Sequence, residues 1–140
     1  MINLIHFFST FWMLVVIWFV QVLHYPIFLA VPKEARVNFA HHHQTGISFL
    51  VMPAMLIELF SLVLLWSQFS ANINFYICTI SLIIIWISTF ILQVPCHNSL
   101  LINPTDRVIN KLVSTNWIRT TFWTIKSIAA FNLFSTEFLL

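Results

Sequence analysis

The chain has 140 residues, 60% of them hydrophobic, 16% aromatic and 7% charged, with a net charge of +2 and a mean hydropathy of +0.94. A soluble domain carries about 25% charged residues, so six basic and four acidic side chains exclude a water-facing globule. No basic cluster is available to grip phosphates, which excludes a nucleic-acid partner.

The solvent of such a chain is lipid, where only helices or closed barrels satisfy the backbone. The polar alternation that a barrel strand shows over about ten residues is missing. The expectation is an all-α membrane protein in one domain, residues 1–140, built as a four-transmembrane-helix antiparallel bundle with the lipid bilayer as its first partner.

The first apolar stretch covers residues 4–31 and carries Gln21 and His24 towards its end. It lacks the basic start and small-residue cleavage site of a removable signal peptide, so it is read as a retained helix. Val31-Pro32-Lys33-Glu34 breaks it. The second stretch, residues 39–69, opens with His41-His42-His43-Gln44. By helical phase His41, Gln44, Thr45 and Ser48 form a polar stripe running into Met52 and Met55. Phase near a helix start does not decide between His41 and His43. Glu58 lies 15 residues beyond His43, about 22 Å at ~1.5 Å per residue, and is read first as an interfacial carboxylate, with a proton-handling group facing the bundle as the alternative.

An uncharged link, Ser70-Ala71-Asn72-Ile73-Asn74, leads to the third stretch, residues 75–101. Its Cys78 and Cys96 stand about 27 Å apart along one helix, too far for a disulfide. Thr89, Gln93 and His97 repeat every four residues on one face, and Asn98 follows. Asn103-Pro104-Thr105-Asp106 ends this helix and starts the next. The fourth stretch, residues 108–134, places Asn116, Arg119, Thr120, Trp123 and Ser127 on one face. Lys126 is read as a snorkelling cation, and the tryptophans as mostly lipid-facing belt residues.

Lys33 and Arg36 lie in the first link and Arg107 and Lys111 at the third, whereas the middle link has no charge. The positive-inside rule then puts the first and third links in the cytoplasm and both termini outside. Val20-Gln21-Val22 matches Leu92-Gln93-Val94 and Pro32 matches Pro104 at one offset, the pattern of a duplicated helical hairpin.

This topology gathers polar groups from all four helices near one membrane face. Ionisable groups inside a membrane are expensive, and their default reading is function. Histidine is the commonest metal ligand. His24, His41 or His43, and His97 would supply three nitrogens and leave a position open, the pattern of a reactive metal. Zinc, copper and iron suit that set about equally. Gln21, Gln44, Gln93 and Asn98 are placed to orient a bound cofactor, with Asn116 and Arg119 facing a substrate's carbonyl or anionic group.

His24-Tyr25-Pro26, the histidine run with Gln44, Gln93-Val94-Pro95-Cys96-His97-Asn98 and Asn116-Trp117-Ile118-Arg119-Thr120 together resemble small four-helix bacterial membrane proteins related to the anthrone-oxygenase-like family. Members share a Pro-x-Asn or Pro-x-x-Asn element after the third helix and Asn-x-x-Arg-Thr in the fourth. The resemblance implies a multi-pass protein of the bacterial inner membrane, with Asn98, Asn116 and Arg119 at recurring polar positions, and it favours His43 over His41.

The expected function is a histidine-metal-dependent membrane oxidoreductase or oxygenase acting on a hydrophobic small molecule. One alternative is a haem or quinone carrier with two axial histidines. Another is a non-enzymatic assembly or transport subunit, which as a transporter would need a homodimer.

Overall fold

The computed structural model describes residues 1–138, with side chains as far as residue 135. Four helices account for nearly all of it: α1 (Ile2–Ala30), α2 (Arg36–Phe69), α3 (Ile73–Ile102) and α4 (Asp106–Phe138). Their limits match the four apolar stretches. A short turn, Lys33–Ala35, precedes α2, and the Asn72 side chain caps α3 by accepting from the backbone N–H of Asn74 at 2.9 Å. Three of the helices are long and apolar enough to cross a membrane. The fourth is as long, at 33 residues, but carries Lys111, Arg119 and Lys126 along its length.

Side-chain bonds fix neighbouring helices as antiparallel. His6 Nδ1, near the start of α1, meets Ser61 Oγ, late in α2, at 2.8 Å. Gln21 bonds Asn116 and Thr10 bonds Lys126, so α1 and α4 run in opposite senses. Gln93 Nε2 donates to Thr115 Oγ1 at 3.0 Å, and the Cys78 thiol lies 3.6 Å from the Lys126 carbonyl, which does the same for α3 and α4.

Two helices contain a π-turn, Val20–His24 in α1 and Thr89–Gln93 in α3. Each ends two residues before a proline, Pro26 or Pro95. A helical proline has no N–H for the carbonyl four residues back and its ring crowds that carbonyl. Those carbonyls belong to Val22 and Ile91, inside the two π-turns, where a wider turn relieves the clash. The consequence is a change of phase. Across the turn in α3 buried positions step by five, from Ser88 to Gln93, where a regular helix would step by three or four. The shared face expected for Thr89, Gln93 and His97 is kept: all three line one internal cavity, Gln93 buried and the other two half-buried.

At the basic end Arg36 ties the links together. It donates to the carbonyls of Leu29, Val31 and Pro104 and to the Asp106 carboxylate. That hydrogen bond and the guanidinium charge hold the Asp106 carboxyl below the usual carboxylate range.

Apolar and polar layers alternate along the bundle. Tyr25, Phe28, Leu100 and Leu112 pack at the basic end, Met13, Ile17, Met55 and Trp123 in the middle, and Leu65, Phe75, Leu133 and Phe134 at the other end. Between the last two clusters lies a buried ion pair, Lys126 Nζ to Glu58 Oε1 at 2.7 Å, with both side chains fully enclosed. Lys126 also donates to Thr10 Oγ1 at 2.6 Å, and Trp123 Nε1 donates to Glu58 Oε2 at 3.2 Å. These contacts correct three sequence expectations. Glu58 is not interfacial, Lys126 does not snorkel and Trp123 does not face lipid. Each has a partner of opposite or complementary character inside the bundle, which outweighs the pull of the interface.

Removing one member of a buried pair leaves an uncompensated charge, at a cost of about 3–5 kcal/mol. Glu58→Leu should therefore lower the unfolding midpoint in detergent far more than Glu58→Leu combined with Lys126→Met. Equal losses in the single and double variants, followed by circular dichroism during denaturant titration, would show that the pair is not coupled.

Candidate ligand site

The second polar layer separates the basic-end cluster from the middle one and is centred on Asn116 and Arg119 of α4. Asn116 Nδ2 donates to Gln21 Oε1 at 2.8 Å, and Gln21 Nε2 donates to the Val113 carbonyl at 3.1 Å. Arg119 Nη1 donates to Asn116 Oδ1 at 3.3 Å. Below, the guanidinium lies over the Trp123 ring at 5.1 Å. Trp123 is thus shared by the two polar layers, its face under Arg119 and its N–H on Glu58.

Arg119 is 6% exposed, yet no carboxylate pairs with it among the described residues. The ion pairs there are Arg36 with Asp106 and Lys126 with Glu58. Its Nε has no hydrogen-bond partner, and neither does Gln93 Oε1 nearby. Both residues line a cavity of about 130 Å³ whose other walls include Met13, Met55, Gln44 and His97. An apolar engineered cavity of roughly 150 Å³ takes up benzene, so this volume is that of one six-membered ring. The cavity is apolar over most of its wall and polar at one pole.

Tyr25, beside the proline-induced turn, also lines this cavity. Its hydroxyl is 3.1 Å from His97 Nε2 and lies beside the Arg119 guanidinium. His97 continues into a stack of rings: His43 lies 5.4 Å from it and His24 lies 4.4 Å from His43, both near parallel. Phe39 closes the far side of His24 at 5.9 Å. Nε2 of His24 and of His43 are buried without partners.

The choice between His41 and His43 resolves to His43, which is buried while His41 and His42 are exposed. Asn98 is also exposed and takes no part in the site. Both are corrections with one cause: their helix faces point away from the bundle axis. Gln21, Gln44, Gln93, Asn116, Arg119, His24, His43 and His97 are brought together as expected.

The three gathered histidines do not form a metal centre as arranged. A ring nitrogen binds through a lone pair in the ring plane, and near-parallel stacked rings send those lone pairs past one another. His97 Nε2 is already engaged by Tyr25. Among the described residues no group of three His, Cys, Asp or Glu side chains is placed to hold a metal ion. A haem between axial histidines needs a gap for the macrocycle, and the 4.4 Å stack of His24 on His43 leaves none.

Two participants escape a reading of the sequence. Tyr25 carries its signal in the following proline, which forecasts a disturbed turn. Trp123 lies in the right register, but nothing in the sequence separates it from the tryptophans that face lipid. Comparison of the chain with protein families, curated proteins and solved structures gave no match.

Asn116 is the joint of the layer. Asn116→Leu would leave Gln21 Oε1 with a weak 3.4 Å contact to Thr120 and remove the amide that receives Arg119. Leaving buried polar groups unpaired costs about 1–3 kcal/mol. The variant should lose stability by that amount, whereas Asn98→Leu should change it by less than about 0.5 kcal/mol. Matched denaturant titrations in detergent check both.

Proposed function

We propose that the chain is an integral membrane protein in which all four helices cross the bilayer. The basic end and the histidines face the cytoplasm, and both termini lie outside. The cavity beside Arg119 binds the ring of a lipid-soluble compound bearing a carbonyl or ionisable hydroxyl oxygen, of quinone or phenol type.

Membrane placement of α4 is supported by the fate of its charges. Lys126 is neutralised internally and Arg119 faces the cavity, so neither meets lipid. The bias of Lys33, Arg36, Arg107 and Lys111 to one end supports the orientation.

The observation that carries the ligand reading is the buried guanidinium without a carboxylate. A charge held away from water is costly unless paired and hydrogen-bonded, and Arg119, with its Nε unpartnered, lines a ring-sized space. A ligand oxygen there completes the coordination of Arg119, and the apolar walls receive the ring. The hydroxyl of Tyr25 can pass a proton to that oxygen and be replenished from His97, 3.1 Å away. Compounds of this class change protonation with oxidation state, so an oxidoreductase or oxygenase acting on a hydrophobic ring is the enzymatic form of the reading. It agrees with the resemblance to anthrone-oxygenase-like proteins.

Charge-assisted hydrogen bonds contribute about 1.5–3 kcal/mol. Arg119→Gln should therefore weaken binding of a decyl-substituted benzoquinone about 10- to 100-fold in nanodisc-reconstituted protein. Equal affinity in the two proteins, both shown to be folded, overturns the reading.

A second reading rests on the unpartnered Nε2 atoms of His24 and His43. They are the free donors from which a zinc, copper or iron site could be assembled once the rings rotate out of their stack. Elemental analysis of purified protein beside His43→Ala tests it: metal near one equivalent that falls in the variant supports this reading, and no metal in either sample removes it.

A further inference from the structure

We infer that the ligand of the Arg119 cavity is an amphiphile, and that its hydrocarbon tail leaves the bundle between α1 and α2 and lies in the furrow along their outer face. This inference rests on the ring-binding reading above.

The furrow shares a wall with the cavity. A crevice between α1 and α2 is lined by Val16, Val20, His24, His43, Gly46 and Ile47. Val16, Val20 and Ile47 also line the cavity on its inner side. Three aliphatic side chains therefore border both the ring site and the crevice. The crevice runs on towards the opposite end, because Trp12 and Leu50 belong both to it and to the next groove, which Phe8, Phe49 and Pro53 line. The result is one apolar track along the bundle axis, suited to a chain lying parallel to lipid tails.

Gly46 is an independent pointer to an occupant. It is the sole glycine of the sequence and sits inside a long helix, where glycine costs about 1 kcal/mol relative to alanine. The usual structural reason is a close neighbour, and none exists: a Cβ built there meets nothing within 4 Å. Its backbone dihedral is ordinary, with no positive-φ residue among those described. Packing and conformation leave glycine unexplained at 46, whereas a molecule passing along the crevice explains it. The two unpartnered histidine nitrogens at the cytoplasmic-side mouth mark where the furrow stops being apolar.

The test uses the full chain in nanodiscs and two probes, 2,3-dimethoxy-5-methyl-1,4-benzoquinone and the same ring bearing a decyl chain. Gly46→Phe fills the crevice without a backbone clash, and Gly46→Ala controls for helix propensity. With the tail lying in the crevice, Gly46→Phe should weaken the tailed compound at least tenfold and the tailless ring less than twofold. Gly46→Ala should bind both compounds like the wild type.

Equal weakening of both compounds by Gly46→Phe would mean that the crevice is part of the ring site itself, and it overturns the tail placement. No effect on either would mean that membrane lipid alone fills the furrow, which overturns the tail placement as well. Those failures leave the ring-binding reading standing. Absence of wild-type binding to either probe overturns both readings together.

Discussion

An arginine held inside a helical bundle without a carboxylate governs everything else at this site. The protein meets the cost of Arg119 by halves. Asn116 accepts from Nη1, the Tyr25 hydroxyl lies beside the guanidinium, Trp123 offers its π-face, and Nε is left without a partner, while the side chain lines a space of one ring's volume. Lys126, two turns further along the same helix, has the opposite arrangement, with Glu58, Thr10 and complete enclosure. One cation on α4 has a carboxylate partner within the protein and the other has none among the described residues. That contrast separates structural from functional charge more sharply than burial does, since both are buried.

The layered arrangement explains how so polar an interior is tolerated. Each polar layer lies between apolar clusters and is closed on itself by bonds from three helices. Trp123 joins the layers through its face and its N–H, so the ion pair steadies the ring on which Arg119 rests. The two proline-induced π-turns act at the same level. They lie beside Tyr25 and Gln93, which line the cavity at its polar pole. Widened turns at functional positions are a recurrent use of this defect.

Most of the fold is legible in the sequence because it follows from composition and segment length. Four apolar stretches of spanning length with short polar links permit little besides an up-and-down bundle. The face formed by Asn116, Arg119, Thr120, Trp123 and Ser127 is legible too, since α4 is regular and its phase is preserved. The π-turns at Val20–His24 and Thr89–Gln93 are not legible, because a single extra residue per turn is invisible to a 3.6-residue period. His41 and His43 cannot be separated near a helix start, and the start at Arg36 fixes His43 inward. Glu58 and Lys126 mislead for a different reason. Judged alone, each belongs at the interface, whereas their placement comes from a pairing between helices 68 residues apart in sequence. The metal expectation counts histidines at one depth correctly, but sequence spacing does not show that the rings stack rather than converge.

Completion of Arg119 by a ligand oxygen is open to direct observation. Infrared difference spectroscopy would follow a carbonyl-labelled decyl-benzoquinone in nanodiscs, with wild-type protein and Arg119→Gln side by side. A carbonyl stretch shifted to lower frequency in the wild type, and returned in the variant to its position in lipid alone, is the expected result. A bound carbonyl whose frequency in wild-type protein matches that of the lipid-dissolved compound would contradict it, because no guanidinium would then be holding the oxygen.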